Sequence, residues 1–155
     1  MEDGIHVVSV AEASSFPGFY ELVKEHGDDY RLEGMPTPPT GDDVLPIYAA
    51  LEAAGVGHVL CVTSKGRIIG VAVIVIGKSG HYTASVALVE TLFVVKAHRA
   101  GGAGARLIRA AEALAKAKGA VGITVNAQVG SELCLLLGNP KMEYRTPYAT
   151  FFKTL

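Results

Sequence analysis

Apolar and polar positions recur along this chain with two periods, and each period predicts a kind of element. Residues 103–118 carry Leu107, Ile108, Ala111, Leu114 and Ala115 on one stripe, with Arg109, Glu112, Lys116 and Lys118 facing away. That spacing predicts an amphipathic helix, closed by Gly119. Two β-branched runs, 58–63 and 67–76, flank Ser64-Lys65-Gly66 and predict a hairpin. Residues 85–95, "SVALVETLFVV", are apolar nearly throughout, as a central strand should be.

Weaker patterns fill in the rest. Strands are expected at 5–10 and 122–127 and a short helix at 131–138. A helix over 14–27 would be capped by Ser14 or Ser15 and ended by Gly27, and a second over 43–55 would begin near Pro46. Between them, residues 28–43 hold three prolines and two glycines and predict a loop. The tail, 143–155, reads as a final hairpin or bent strand pair. The resulting order, β-α-α-β-β-β-α-β-α-β-β, points to one α/β domain over residues 1–155, with a mixed sheet flanked by helices.

Composition narrows the function. Half of the 155 residues are apolar, and a chain of this length buries about 70% of its unfolded surface. Fourteen basic residues stand against fifteen acidic ones, which argues against a protein that neutralises nucleic-acid phosphates. Cys61 and Cys134 lie in apolar runs, as expected of reduced thiols in the cytoplasm. No secretory signal pattern opens the chain, and no apolar run approaches the ~20 residues a bilayer requires, so neither a membrane nor export is expected. The five histidines show no metal-ligand spacing, and no metal is expected; His98, beside Arg99, could touch a phosphate.

One stretch conflicts with simple helix building. "HRAGGAGARLIR", residues 98–109, puts Gly101, Gly102 and Gly104 at the mouth of the 103–118 helix. A helix N-terminus presents unpaired N–H groups and about half a positive charge, and glycine lets an anion approach them closely. Residues Arg99, Ala100, Gly101, Gly102, Ala103 and Gly104 therefore read as a pyrophosphate cradle, with Arg99 adding charge at the rim. A flexible turn that binds nothing is the alternative. The P-loop signature fails because Ala105-Arg106 stand where Lys-Ser/Thr is needed. The dinucleotide fingerprint fails at Leu107 and at the strand end, Asn126-Ala127, which lacks an acidic residue.

A third pattern fits. "VETLFVVKAHRAGGAGARLI" resembles the GNAT superfamily of acyl-CoA-dependent N-acyltransferases, whose motif is Arg/Gln-x-x-Gly-x-Gly/Ala after a strand reading I-E-x-L-x-V. Arg99, Gly102 and Gly104 supply the motif, Glu90, Leu92 and Val94 the strand. The motif spans residues 88–140, and the element order resembles that fold over nearly the whole chain.

The resemblance implies a mostly antiparallel sheet in which the strands before and after the cradle splay apart. The pantetheine arm of acetyl-CoA would lie in that cleft, bonded to backbone groups of Leu92, Phe93 and Val94 and to Asn126, although the family's asparagine aligns at Ala127. Acetyl-CoA would be the cosubstrate, and a primary amine on a small molecule or peptide would attack its thioester directly. Glu90 is the expected base, because burial in an apolar strand would raise its pKa; a structural glutamate is the alternative. A backbone N–H such as that of Val94 would hold the oxyanion. Where the family often has a proton-donating tyrosine, this chain has Cys134, which would be either a thiol donor or a small buried filler. Tyr144 and Tyr148 could also reach the cleft.

Residues 20–45 carry seven acids against Lys24 and Arg31, which would make either a rim that gathers cationic amines or a solvated face. The rival function is a non-catalytic acyl-CoA-binding module. The last strands could pair across a homodimer axis.

Overall fold

The computed structural model describes residues 2–32, 36–80, 83–146 and 153. The elements run β1 (Gly4–Val8), α1 (Val10–Ser15), α2 (Phe19–Tyr30), α3 (Gly41–Ala53), β2 (Gly57–Ser64), β3 (Arg67–Lys78), β4 (Ser85–Val94), a 3-10 turn (Lys96–Gly101), α4 (Ala103–Ala117), β5 (Ile123–Val125), α5 (Glu132–Leu137) and a last 3-10 turn (Pro140–Met142). The five strands form one sheet in sequence order; the first three pairings are antiparallel, and β4–β5 is parallel. The expected tail hairpin lies almost wholly outside the described residues.

Local chemistry redraws two of the expected helices. The helix expected over 14–27 is two. Pro17 forces Phe16 into extended backbone, which ends α1 at Ser15. Ser9, not Ser14 or Ser15, caps α1: its hydroxyl accepts from Glu12 N–H at 3.1 Å while Glu12 accepts from Ser9 N–H at 2.9 Å. Helix α2 then starts after Gly18, whose φ of +92° favours glycine, and runs past Gly27 to Tyr30. Helix α3 begins at Gly41 rather than near Pro46, because Thr40 and Asp43 form a second capping box. In the β2–β3 hairpin, Lys65 and Gly66 have φ of 50° and 71°, the positive values that two-residue turns use.

The sheet buries both faces. On one, Leu107, Ala111 and Ala115 of α4 pack on Ile74, Val89 and Val94. On the other, Ala13, Phe19 and Leu22 pack on Val59, Val71 and Phe93. Where α3 meets β2, a Cβ at Gly57 would stand 2.7 Å from Leu51 Cβ, so this approach admits no side chain. Among the described residues no helix is long and apolar enough to cross a membrane.

Candidate active site

The site begins where strand pairing stops. Strand β5 is paired only at Ile123, Thr124 and Val125, which face Ala87, Leu88 and Val89. The strand expected over 122–127 is shorter than its pattern, and among the described residues β4 beyond Val89 has a neighbour only in β3. A bulge falls at the same place. Thr91 pairs with Val73 and Val89 with Ile74, so Glu90 is the unpaired extra residue.

The hydrogen-bond phase then decides which groups face the open wedge. Val95 N–H donates to Ile69 O at 2.9 Å. Antiparallel alternation turns the backbone of Phe93 and Thr91 toward β3 as well, and that of Leu92 and Val94 outward. Phe93 O lies 3.1 Å from a Cβ built on Gly70, consistent with this phase. The expectation that Leu92, Phe93 and Val94 all present backbone groups to the cleft is therefore corrected. Leu92 and Val94 do, whereas those of Phe93 belong to the ladder and its ring is buried.

A similar correction applies to the glycine stretch. His98 N–H donates to Val95 O at 2.9 Å and Gly102 N–H to Arg99 O at 3.1 Å; the amides of Arg99, Ala100 and Gly101 lie within the same 3-10 turn. The first helical bond of α4 runs from Arg106 N–H to Gly102 O at 3.1 Å, and no side chain caps that end. The unpaired amides are those of Ala103, Gly104 and Ala105, not the whole run 99–104. Gly102 needs its φ of +71°. Gly101 and Gly104 are different: a Cβ at Gly101 would meet nothing within 4 Å, and one at Gly104 only Leu136 Cδ2 at 3.9 Å. Neither conformation nor packing requires glycine at either position. The missing side chain at Gly104 leaves open space where α4 borders the cleft.

Arg99 is not a free cation at the rim. Its Nε donates to Val94 O, Nη1 to Glu132 and Nη2 to Asp29, all at 2.7 Å, and its guanidinium lies 5.0 Å from the Phe93 ring centroid. One side chain thus ties β4 to α2 and α5. Hydrogen bonds from Lys96 and then Arg99 hold the Asp29 carboxyl below its usual range.

A cleft of about 790 Å³ runs from the α4 N-terminus over β4 to the space between α2, α3 and the sheet. Glu90 and Asn126 line it. Glu90 is exposed, so the burial expected to tune it is absent. Leu133 and Leu136 of α5 line the cleft, and Cys134 is not among the lining residues; its N–H donates to the Ser131 hydroxyl that caps the helix. Tyr144 points elsewhere and donates to Glu112 on α4 at 3.1 Å, with its phenol pushed well up by burial. Tyr148 lies outside the described residues. The acidic segment does not form a rim either. Glu21 pairs with Arg67, Asp28 with Lys24 and Asp43 with Thr40, Glu25 accepts from Lys96 N–H, Asp42 is exposed, and among the described residues only Asp29 of the group lines the cleft, already matched. Glu33 lies outside the described residues.

Two cleft residues escaped the sequence reading. Tyr48 on α3 shares a 2.8 Å hydrogen bond with Thr91 Oγ1, and burial lifts its phenol above the usual range. The His26 ring lies 5.1 Å from that of Phe93 between centroids, tilted by 50°, and burial pushes the imidazole pKa down. The one available signal was helical phase. Tyr48 falls on the stripe of Val44 and Leu45, and His26 follows Leu22 and Val23.

Comparison with known proteins agrees with this geometry. The model of the Acetyltransferase (GNAT) family matches residues 19–132. No curated protein matches the chain. Among solved structures, the ribosomal-protein-alanine N-acetyltransferase of Brucella melitensis biovar Abortus 2308 superposes with a TM-score of 0.71 at 14% identity, covering 97% of this chain and 99% of that one. An aminoglycoside acetyltransferase from an uncultured soil metagenomic sample gives 0.70 at 22%, covering 100% and 99%. Glucosamine-6-phosphate N-acetyltransferase from Arabidopsis thaliana gives 0.72 at 13%, covering 99% of each. At such identities the structures speak for the fold. The family match over most of the chain, the splayed strands and the uncapped α4 end together show that this chain belongs to the GNAT acetyltransferase family.

Proposed function

We propose that the protein is an acetyl-CoA-dependent N-acetyltransferase that moves an acetyl group onto a primary amine by direct attack on the thioester. Family membership implies acetyl-CoA use. The observation that carries the reading is the coincidence of the wedge beyond Val89 with the unpaired amides of Ala103, Gly104 and Ala105. Those amides would hold the diphosphate, and the open Cβ position of Gly104 gives it room. Leu92, Val94 and Asn126 would hold the pantetheine arm. Arg99, Ala100, Gly101 and Gly102 shape the turn rather than contribute amides.

An ammonium has no lone pair, so the amine must lose a proton before it attacks. Glu90, set at the bulge and open to water, is placed to take that proton directly or through a water molecule. The Val94 N–H would stabilise the oxyanion. The leaving thiolate can depart unprotonated into water. Cys134 lies off the cleft, and the Tyr48 hydroxyl is engaged with Thr91 Oγ1 at 2.8 Å. Tyr48 therefore positions Thr91 and the acceptor.

Calorimetric titration with acetyl-CoA tests the cofactor half. Saturable binding with a Kd below about 1 mM is expected, within the usual range for such substrates; no binding removes the proposal. Thiol release over an amine panel tests the transfer half. The lack of a proton donor on α5 favours a second reading, a non-catalytic acyl-CoA-binding module, which binding without thiol release would establish.

A further inference from the structure

Among the described residues, the acceptor end of the cleft is not lined for a polycation. Behind Thr91 it becomes a chamber between the sheet and the first three helices, walled by Ala13, Leu22, Val23, Leu45, Val73 and Phe93. Of the α2–α3 acids, which the sequence left as either an amine-gathering rim or a solvated face, Glu21, Glu25, Asp28 and Asp43 are engaged elsewhere, Asp42 does not line the cleft, and Asp29 is matched by Lys96 and Arg99. Glu90, at the chamber's opening, is different: among the described residues no cation pairs with it. Among the described residues, its polar points are the Tyr48–Thr91 hydroxyl pair and the His26 imidazole beside Phe93.

Two physical limits follow. A second ammonium, or a sugar ring dense in hydroxyls, would lose its hydration against mostly apolar walls that return few hydrogen bonds. An apolar body gains by the same transfer, in proportion to the area it buries. The chamber opens at the residue that would deprotonate the amine, so its occupant is the molecule that carries the amine.

Resting on the acetyltransferase reading above, we infer that the acceptor is a monoamine whose single ammonium meets Glu90 and whose aromatic or branched aliphatic body fills the chamber behind Thr91. An acyl chain longer than acetyl, entering from the coenzyme side, is the competing occupant.

The test uses the full chain saturated with acetyl-CoA. Phenethylamine is expected to show at least a tenfold higher kcat/KM than spermidine or kanamycin. Val23→Trp, which fills the chamber, should lower kcat/KM for phenethylamine about tenfold and leave the acetyl-CoA Kd within twofold, which also shows that the variant folds. Equal or better use of spermidine or kanamycin, with acetyl-CoA still bound, overturns this inference alone. So does thiol release from octanoyl-CoA, with methylamine as acceptor, faster than from acetyl-CoA with phenethylamine. Absence of acetyl-CoA binding overturns the transferase reading and this inference together.

Discussion

The two halves of β4 differ by one neighbour. Ser85–Val89 is hydrogen-bonded on both sides over its last three residues, and Ala87 and Val89 are sealed in the core at 0% and 2% exposure. Glu90–Val94 keeps β3 but loses β5, and the bulge at its start sets a carboxylate outward. The first half is ordinary sheet. The second presents main-chain groups of Leu92 and Val94 that no strand pairs. A strand of three residues, β5, creates this asymmetry by ending early, so the proposed chemistry sits where the sheet stops completing itself.

Substitutions on either side of that boundary should separate stability from turnover. Glu90→Gln, in the open half, removes the proposed base and should lower kcat/KM by at least about a hundredfold, the usual contribution of such a group. Its unfolding free energy in urea should stay within about 0.5 kcal/mol of the parent, as for an exposed position. Steady-state kinetics across pH 6–9 check the first part, and an unchanged rate dismisses Glu90. Val89→Ala, one residue earlier, should do the reverse: a loss of about 2 kcal/mol from a packed core site, read by urea unfolding, with the acetyl-CoA Kd little changed.

Smaller effects sharpen the contrast. Gly104→Ala adds a methyl group where the protein leaves space. It should raise stability by about 0.5 kcal/mol through lower unfolded-state entropy, yet weaken acetyl-CoA binding about tenfold. A gain in both would mean that the open space holds no ligand. The smallest effect is a pH dependence. Burial lowers the His26 pKa from its usual 6.5, so the unfolded chain binds that proton more readily than the folded one. Stability contributed by the neutral ring is full above pH 6.5 and falls as the pH drops below it. Asp29, held below 3.8, stays ionised throughout that window. Thermal midpoints between pH 7.5 and 5.5 should therefore fall more for the parent than for His26→Phe.

Elements set by short-range pattern were legible in the sequence. The α4 stripe needs only helical spacing, and the β2–β3 turn needs only Lys65-Gly66. The helix boundaries were misread where a stronger local signal overrode a weaker one: Pro17 outweighs Ser14 and Ser15 as a boundary, and the Thr40–Asp43 box outweighs Pro46 as a start. The elements that border the candidate site were legible, but not their wiring. The partners of Arg99 lie 70 residues away at Asp29 and 33 away at Glu132, beyond any local pattern. Which of residues 99–105 keep unpaired amides depends on whether the chain enters α4 through a 3-10 turn. Cys134 could have been placed by phase: Leu133 and Leu136, three apart, share one face of a short helix and turn the thiol aside.

The Arg99 clasp carries a mechanical consequence. Its guanidinium is the point at which α2, a wall of the acceptor chamber, and α5, a wall of the coenzyme wedge, are fastened to the same strand. Lys96 grips the same Asp29 at 2.7 Å, so the α2 side is fastened twice. An anion that drew Arg99 away from Asp29 would leave that second hold in place, and any coupling between the two walls would be reciprocal by free-energy linkage.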